Sequence, residues 1–214
     1  MHVFNATNFE AICDELAALE PAFAAIIAQY GYPHFFTRPK SFETLVRLIL
    51  EQQVSLASAK AAFDKLLLVA KIITPEAILV LSDDDLRTAT ITRQKIVYIR
   101  ILAEAIQSNS LVLNDLDVLD DDAARAKLTA LKGIGAWTSD VFLMECLQRA
   151  DVLPIGDVAL RTAMKKCLSL PKDITHDALI ALAERYRPYR SVATTLFWHD
   201  YVCSKNIDLE KLLS

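Results

Sequence analysis

Leu131-Lys132-Gly133-Ile134-Gly135-Ala136-Trp137-Thr138 is the stretch whose reading decides the fold of this 214-residue chain. A helix-like run from about Asp121 leads into it, and a second, with Val141, Met144, Cys146 and Leu147, leaves it. Glycine has no Cβ, so two glycines flanking one aliphatic residue permit a very tight turn between helices, with Ile134 tucked inward. The first amides of the second helix then point outward at the positive end of its dipole, a natural seat for a phosphate. Taken alone, the same residues also describe an ordinary pair of helices joined by a glycine C-cap.

Rarity and periodicity extend the reading outward. Three of the four glycines, Gly133, Gly135 and Gly156, lie between 133 and 156, and the only tryptophans are Trp137 and Trp198. Elsewhere, Phe42, Leu45, Val46 and Ile49 recur with the period of a helix that buries one face, as do Ile96, Ile99, Ala103 and Ile106. Ser55, Ser82, Thr92, Asp120 and Asp157 each stand where an N-cap would, and Ser82 with Asp85 reads as a capping box with Asp in place of Glu. Leu111-Val112-Leu113 is strand-like but too short and isolated to build a sheet. Four glycines in 214 residues are few for a turn-rich β-sandwich or barrel, since ordinary usage is about 7%. The expectation is an all-α protein of roughly ten short helices.

Composition narrows the class of function. Hydrophobic residues make up 53% and mean hydropathy is +0.28, which excludes a disordered linker or tail. No apolar run approaches the ~18 residues of a membrane span, and Met1-His2-Val3-Phe4-Asn5 lacks the basic-then-apolar pattern of a secretion signal. A soluble intracellular protein of the cytoplasm or nucleoid is therefore expected, and Asn5-Ala6-Thr7 matches the glycosylation pattern without a secretory route to use it. Cys13, Cys146, Cys167 and Cys203 are scattered, with no CxxC pair, so no side-chain metal site is implied. A net charge of −4 argues against coating nucleic acid non-specifically. It leaves room for a small footprint, which the bases between Arg161 and Arg190 would favour over the acidic run Asp120-Asp121-Asp122.

Two further elements bracket the glycine turn. Downstream, Leu153-Pro154-Ile155-Gly156-Asp157-Val158-Ala159-Leu160-Arg161 places a carboxylate at a loop–helix junction. Asp157 there is either a plain N-cap or a carboxylate facing a cleft. Upstream, Glu51-Gln52-Gln53-Val54-Ser55 interrupts an apolar helical pattern with two amides. These are surface glutamines, or a polar wedge that fills a gap in stacked bases.

The three elements in this order make the chain resemble the helix-hairpin-helix DNA glycosylase superfamily, and within it the 3-methyladenine DNA glycosylase II branch. The likeness runs from about Ser41 to Trp198, and includes Arg187-Pro188-Tyr189-Arg190-Ser191 and Phe197-Trp198. It implies two helical lobes, residues 40–150 ending in the hairpin and residues 1–39 with 151–214, with the active-site cleft between them in a single 1–214 unit. By this resemblance Asp157 is the catalytic aspartate, and Trp137 and Trp198 line the base pocket. Gly133, Ile134, Gly135 and Thr138 form the phosphate-binding hairpin, whose carbonyls are an expected seat for a monovalent cation. Gln53 enters the gap left by the flipped nucleotide.

The implied function is base excision repair without a cofactor, by a monomer acting on damaged double-stranded DNA. Some members carry a lysine nucleophile where Trp137 stands, so base removal without strand cleavage is expected. The four-cysteine cluster of the endonuclease III branch is not matched, and the forty residues before Phe42 are too few for the extra N-terminal sheet domain of larger alkylpurine enzymes. Thr90-Ile91-Thr92-Arg93-Gln94-Lys95 replaces a glycine-bearing loop, and Val141 stands where a second pocket aromatic sometimes follows the hairpin. Deaminated or oxidised bases as substrates, and a non-catalytic DNA-binding module, stay open as alternatives.

Overall fold

The computed structural model describes residues 3–208 and 211–212. Among them are twelve α-helices, of six to fifteen residues, and no strand beyond one isolated bridge between Val3 and Arg149. The all-α expectation holds, with twelve helices where roughly ten short ones were expected. Every N-cap expected from the sequence is one: the side chains of Ser55, Ser82, Thr92, Asp120 and Asp157 each accept a hydrogen bond from the amide three residues on. Ser82 and Asp85 close the capping box reciprocally.

The chain folds as two compact units. One unit, residues 38–142 with Lys211 and Leu212, holds α3 (Phe42–Glu51), α4 (Leu56–Ala70), α5 (Pro75–Val80), α6 (Asp83–Thr88), α7 (Arg93–Gln107), α8 (Asp121–Thr129) and the first half of α9 (Ala136–Leu147). Helix α7 is its centre, packed against α3, α5 and α6. The apolar stripes read from the sequence are the reason: Leu45, Val46, Ile49, Ile96, Ile99 and Ala103 are fully enclosed, and each Leu, Val or Ile among them contributes about 1.5–3 kcal/mol on leaving water.

The other unit is assembled from both ends of the chain, residues 3–37 and 143–208. It holds α1 (Phe9–Leu19), α2 (Pro21–Tyr30), α10 (Val158–Cys167), α11 (His176–Ala183) and α12 (Arg190–Ser204). Helix α12 packs on α10, α2 and α1, and its Phe197 ring lies 4.7 Å from Phe23 and 6.1 Å from Tyr186. Residues 143–150 group here rather than with the 40–150 lobe expected from the sequence. The Phe4 amide donates to Gln148 O (3.0 Å) and Ser191 Oγ donates to Arg149 O (2.6 Å), which ties that stretch to this core.

Candidate active site

Asp157 sits where an irregular loop turns into α10. The Asp157 amide donates to Pro154 O (2.8 Å) and that of Ile155 to Leu153 O (2.8 Å), so the loop is a closed turn. Arg161, one turn into the helix, reaches back and donates through Nη1 to Ile155 O (2.8 Å). One carboxylate oxygen, Oδ1, accepts both the Leu160 amide (2.7 Å) and the Trp198 indole N–H (3.0 Å). Two donors from different helices fix the carboxylate plane as one could not, and α10 aims the positive end of its dipole at it. Asp157 is half-buried beside the exposed Gly156 and Val158.

Trp198 reaches Asp157 from α12, and the same face of that helix anchors the other end of the loop. Ser191, seven residues earlier, is completely buried. Its Oγ donates to Arg149 O (2.6 Å) and accepts the Val152 amide (3.0 Å). Arg190 adds Nε to Asp151 Oδ1 (2.7 Å) and Nη2 to Asp151 O (3.0 Å). The Arg190-Ser191 motif therefore positions the start of the segment whose end carries Asp157.

The glycine turn belongs to the other unit. Gly133 has φ +102°, and a Cβ there would stand 2.3 Å from Tyr98 Cγ, so both backbone and space require glycine. A Cβ at Gly135 would meet nothing within 4 Å, and the residue lies exposed. Ile134 is buried, as its place between the glycines predicts. Thr138 is buried too, and its hydroxyl accepts the Gln52 side-chain amide at 2.9 Å. Read from the sequence as contacts for DNA, Ile134 and Thr138 turn their side chains inward and brace the hairpin; Gly135 and the backbone make its outer surface. Trp137 is half-buried in the first turn of α9. Gln53 is exposed with φ +59°, in the left-handed region that few non-glycine residues occupy.

Comparison with known proteins decides what these pieces belong to. Residues 46–188 match the family model of HhH-GPD superfamily base excision DNA repair proteins. The chain belongs to that superfamily. A crystal structure of a DNA-3-methyladenine glycosidase from Bacillus halodurans is similar to it over 100% of this chain and 99% of that one, at 30% identity and a TM-score of 0.76. The Schizosaccharomyces pombe 3-methyladenine DNA glycosylase, solved in complex with abasic DNA, is similar over 91% and 97% of the two chains, at 26% identity and a TM-score of 0.81. A curated S. pombe relative, DNA-3-methyladenine glycosylase 1, is 26% identical over 81% of this chain and 78% of its own. The chain spans only 39% to 57% of several longer curated relatives.

Within this superfamily the chain sides with the 3-methyladenine glycosylases. Of the predicted site residues, Asp157 and Trp198 meet directly, Gly133, Ile134, Gly135 and Thr138 make the hairpin with Trp137 in the helix that follows, and Gln53 stands exposed beside Gln52, which reaches the hairpin in its place. Gln52, Arg161, Ser191, Lys95 and Tyr98 were missed as contributors. Only Gln52 carried a local signal, as the first of two adjacent amides; the rest act through contacts between residues distant in sequence. Among the described residues no three His, Cys, Asp or Glu side chains converge on a metal site. Burial pushes the Cys13 and Cys167 thiols up to about 12, so both stay protonated at neutral pH.

Proposed function

We propose that this HhH-GPD protein is a monofunctional DNA glycosylase that hydrolyses the N-glycosidic bond of alkylated purines of the 3-methyladenine and 7-methylguanine type. It acts as an intracellular monomer on damaged double-stranded DNA, at the nucleoid. The observation that carries the reading is the Asp157 carboxylate, held at the start of α10 by the Leu160 amide and the Trp198 indole. Relatives named 3-methyladenine glycosylases support the substrate class, and a relative solved on abasic DNA, the product of base removal, supports the reaction.

The residue types fit the chemistry. A base within a duplex is out of reach, so the nucleotide rotates out at a cost of a few kcal/mol. The exposed Gln53 side chain occupies the vacancy and offsets part of that cost, while amides at the Gly135 end of the hairpin hold the strand by its phosphate. Purines alkylated at N3 or N7 are cationic. Over Trp137 or Trp198 they gain about 0.5–2 kcal/mol that a neutral base largely lacks. The same charge weakens the glycosidic bond, so no strong general acid is needed. As the bond breaks, its electron pair leaves with the base, which becomes neutral, and positive charge develops on the sugar. Asp157 stabilises that charge and orients the water that adds to C1′ and gives up a proton. A monovalent cation at the hairpin would be held by its carbonyls; that of Gly133 already accepts the Gln52 amide and keeps a second lone pair.

Release of free base from methylated duplex DNA tests the reading. The wild type is expected to release methylated purines fastest across a panel of alkylated, deaminated and oxidised lesions. Asp157→Asn, which keeps the cap but loses the charge, should slow release at least a hundredfold. Equal release by both proteins removes Asp157 from the mechanism. Binding to abasic DNA with no release from any lesion makes the protein a DNA-binding module.

A further inference from the structure

The loop between α3 and α4 is tied down at Gln52 and at Ser55, which leaves Gln53 and Val54 exposed between them. The Gln52 side-chain nitrogen uses both hydrogens on the hairpin, one on Gly133 O at 2.8 Å and one on Thr138 Oγ1 at 2.9 Å. From α7, the Lys95 ammonium donates to Leu50 O (2.7 Å) and Gln52 O (2.9 Å), capping the carbonyls at the end of α3. One turn further along α7, the Tyr98 ring lies against Gly133 in the space a side chain there would need. Arg38 grips Glu51 with both terminal nitrogens, at 2.8 and 3.3 Å. Next in sequence after these anchors, Gln53 is held left-handed and exposed. A strained backbone of this kind persists only where its surroundings over-determine it.

We propose that Gln52 is a positioning residue whose amide locks the Gln53 turn to the glycine hairpin, so that the side chain entering the duplex and the backbone gripping the strand meet DNA at a fixed spacing. The inference rests on the glycosylase reading above. An amide suits the task because one nitrogen must serve a carbonyl and a hydroxyl together. A carboxylate at 52 has no hydrogen to offer and would face the Gly133 carbonyl with its charge. Without the clamp Gln53 relaxes out of its left-handed conformation, and the loop must be ordered again each time a nucleotide is extruded.

The test is single-turnover release of 7-methylguanine from a duplex by wild type, Gln52→Leu, Gln53→Ala and the double variant, with Thr138→Val as a milder lesion of the same clamp. Gln52→Leu is expected to lower the rate about tenfold and Thr138→Val about threefold, with melting temperatures lowered by a few degrees for the lost hydrogen bonds. In the Gln53→Ala background, Gln52→Leu should cost little more, because its effect passes through Gln53. Duplexes carrying 2-aminopurine at the flipped position should show less unstacking with Gln52→Leu. Full activity of Gln52→Leu, or an equal loss with and without Gln53, overturns the proposal while leaving the glycosylase reading intact. A wild type that releases no base from any lesion overturns both. If Gln52→Leu fails to fold, Thr138→Val in the two Gln53 backgrounds decides by the same criterion.

Discussion

Gly133 and Gly135 look alike on paper and do different work. The first is required by the fold, through its left-handed φ and the Tyr98 ring against its Cα. Gly133→Ala should therefore lower stability by about 1–3 kcal/mol, the usual cost of overpacking, visible as a fall in melting temperature. The second faces open space in an ordinary conformation. Gly135→Ala should melt like wild type yet bind abasic duplex more weakly, since its methyl group stands where a phosphate would approach. Trp198 separates packing from hydrogen bonding in the same way. Trp198→Phe keeps a ring in place but deletes the 3.0 Å bond to Asp157. A hydrogen bond to a charged group is worth about 1.5–3 kcal/mol, so base release should slow roughly ten- to a hundredfold with the fold intact. Base release at the wild-type rate would show that the Trp198 bond is not needed to orient the carboxylate.

At the level of helices, the caps were legible because a cap is local chemistry: a short polar side chain and an amide three residues on. Asp120→Ala, which removes the 2.8 Å bond to the Ala123 amide at the start of α8, should cost about 1 kcal/mol in a denaturant titration. The apolar stripes of α3 and α7 were legible for the same reason, being set by the period of the helix. Illegible were the contacts that arrange one helix against another. Nothing in the residues around Ser191 reveals that it joins the loop forty residues upstream, and nothing around Lys95 announces that it caps α3. Asp157 was legible as both cap and candidate catalyst, whereas the indole that fixes it was read only as a wall for the base.

For the molecule as a whole, acid should weaken the unit that carries Asp157. Burial pushes the His199 imidazole below its ordinary value of 6.5, against the opposing pull of the Gly31 and Tyr30 backbone and the Asp200 charge. The unfolded chain then binds a proton that the folded chain declines. The stability this confers is present above about pH 6.5 and is lost as pH falls toward the depressed folded value. Melting temperatures between pH 7.5 and 5.5 should fall more steeply for wild type than for His199→Gln. Parallel curves would show that carboxylates, not His199, set the acid limit.

The two units also differ in how the chain is threaded through them. Apart from Lys211 and Leu212, the hairpin-bearing unit is one uninterrupted run, residues 38–142, while the other unit joins residues 3–37 to 143–208. On the ribosome the hairpin-bearing unit can close its core as soon as its own stretch has emerged. Helices α1 and α2, with Phe9, Ile12, Leu16, Phe23 and Ile26 destined for burial, must wait uncovered until α12 has been translated. They are the natural client segment for a nascent-chain chaperone, and a message truncated after α9 would yield the glycine hairpin without the carboxylate.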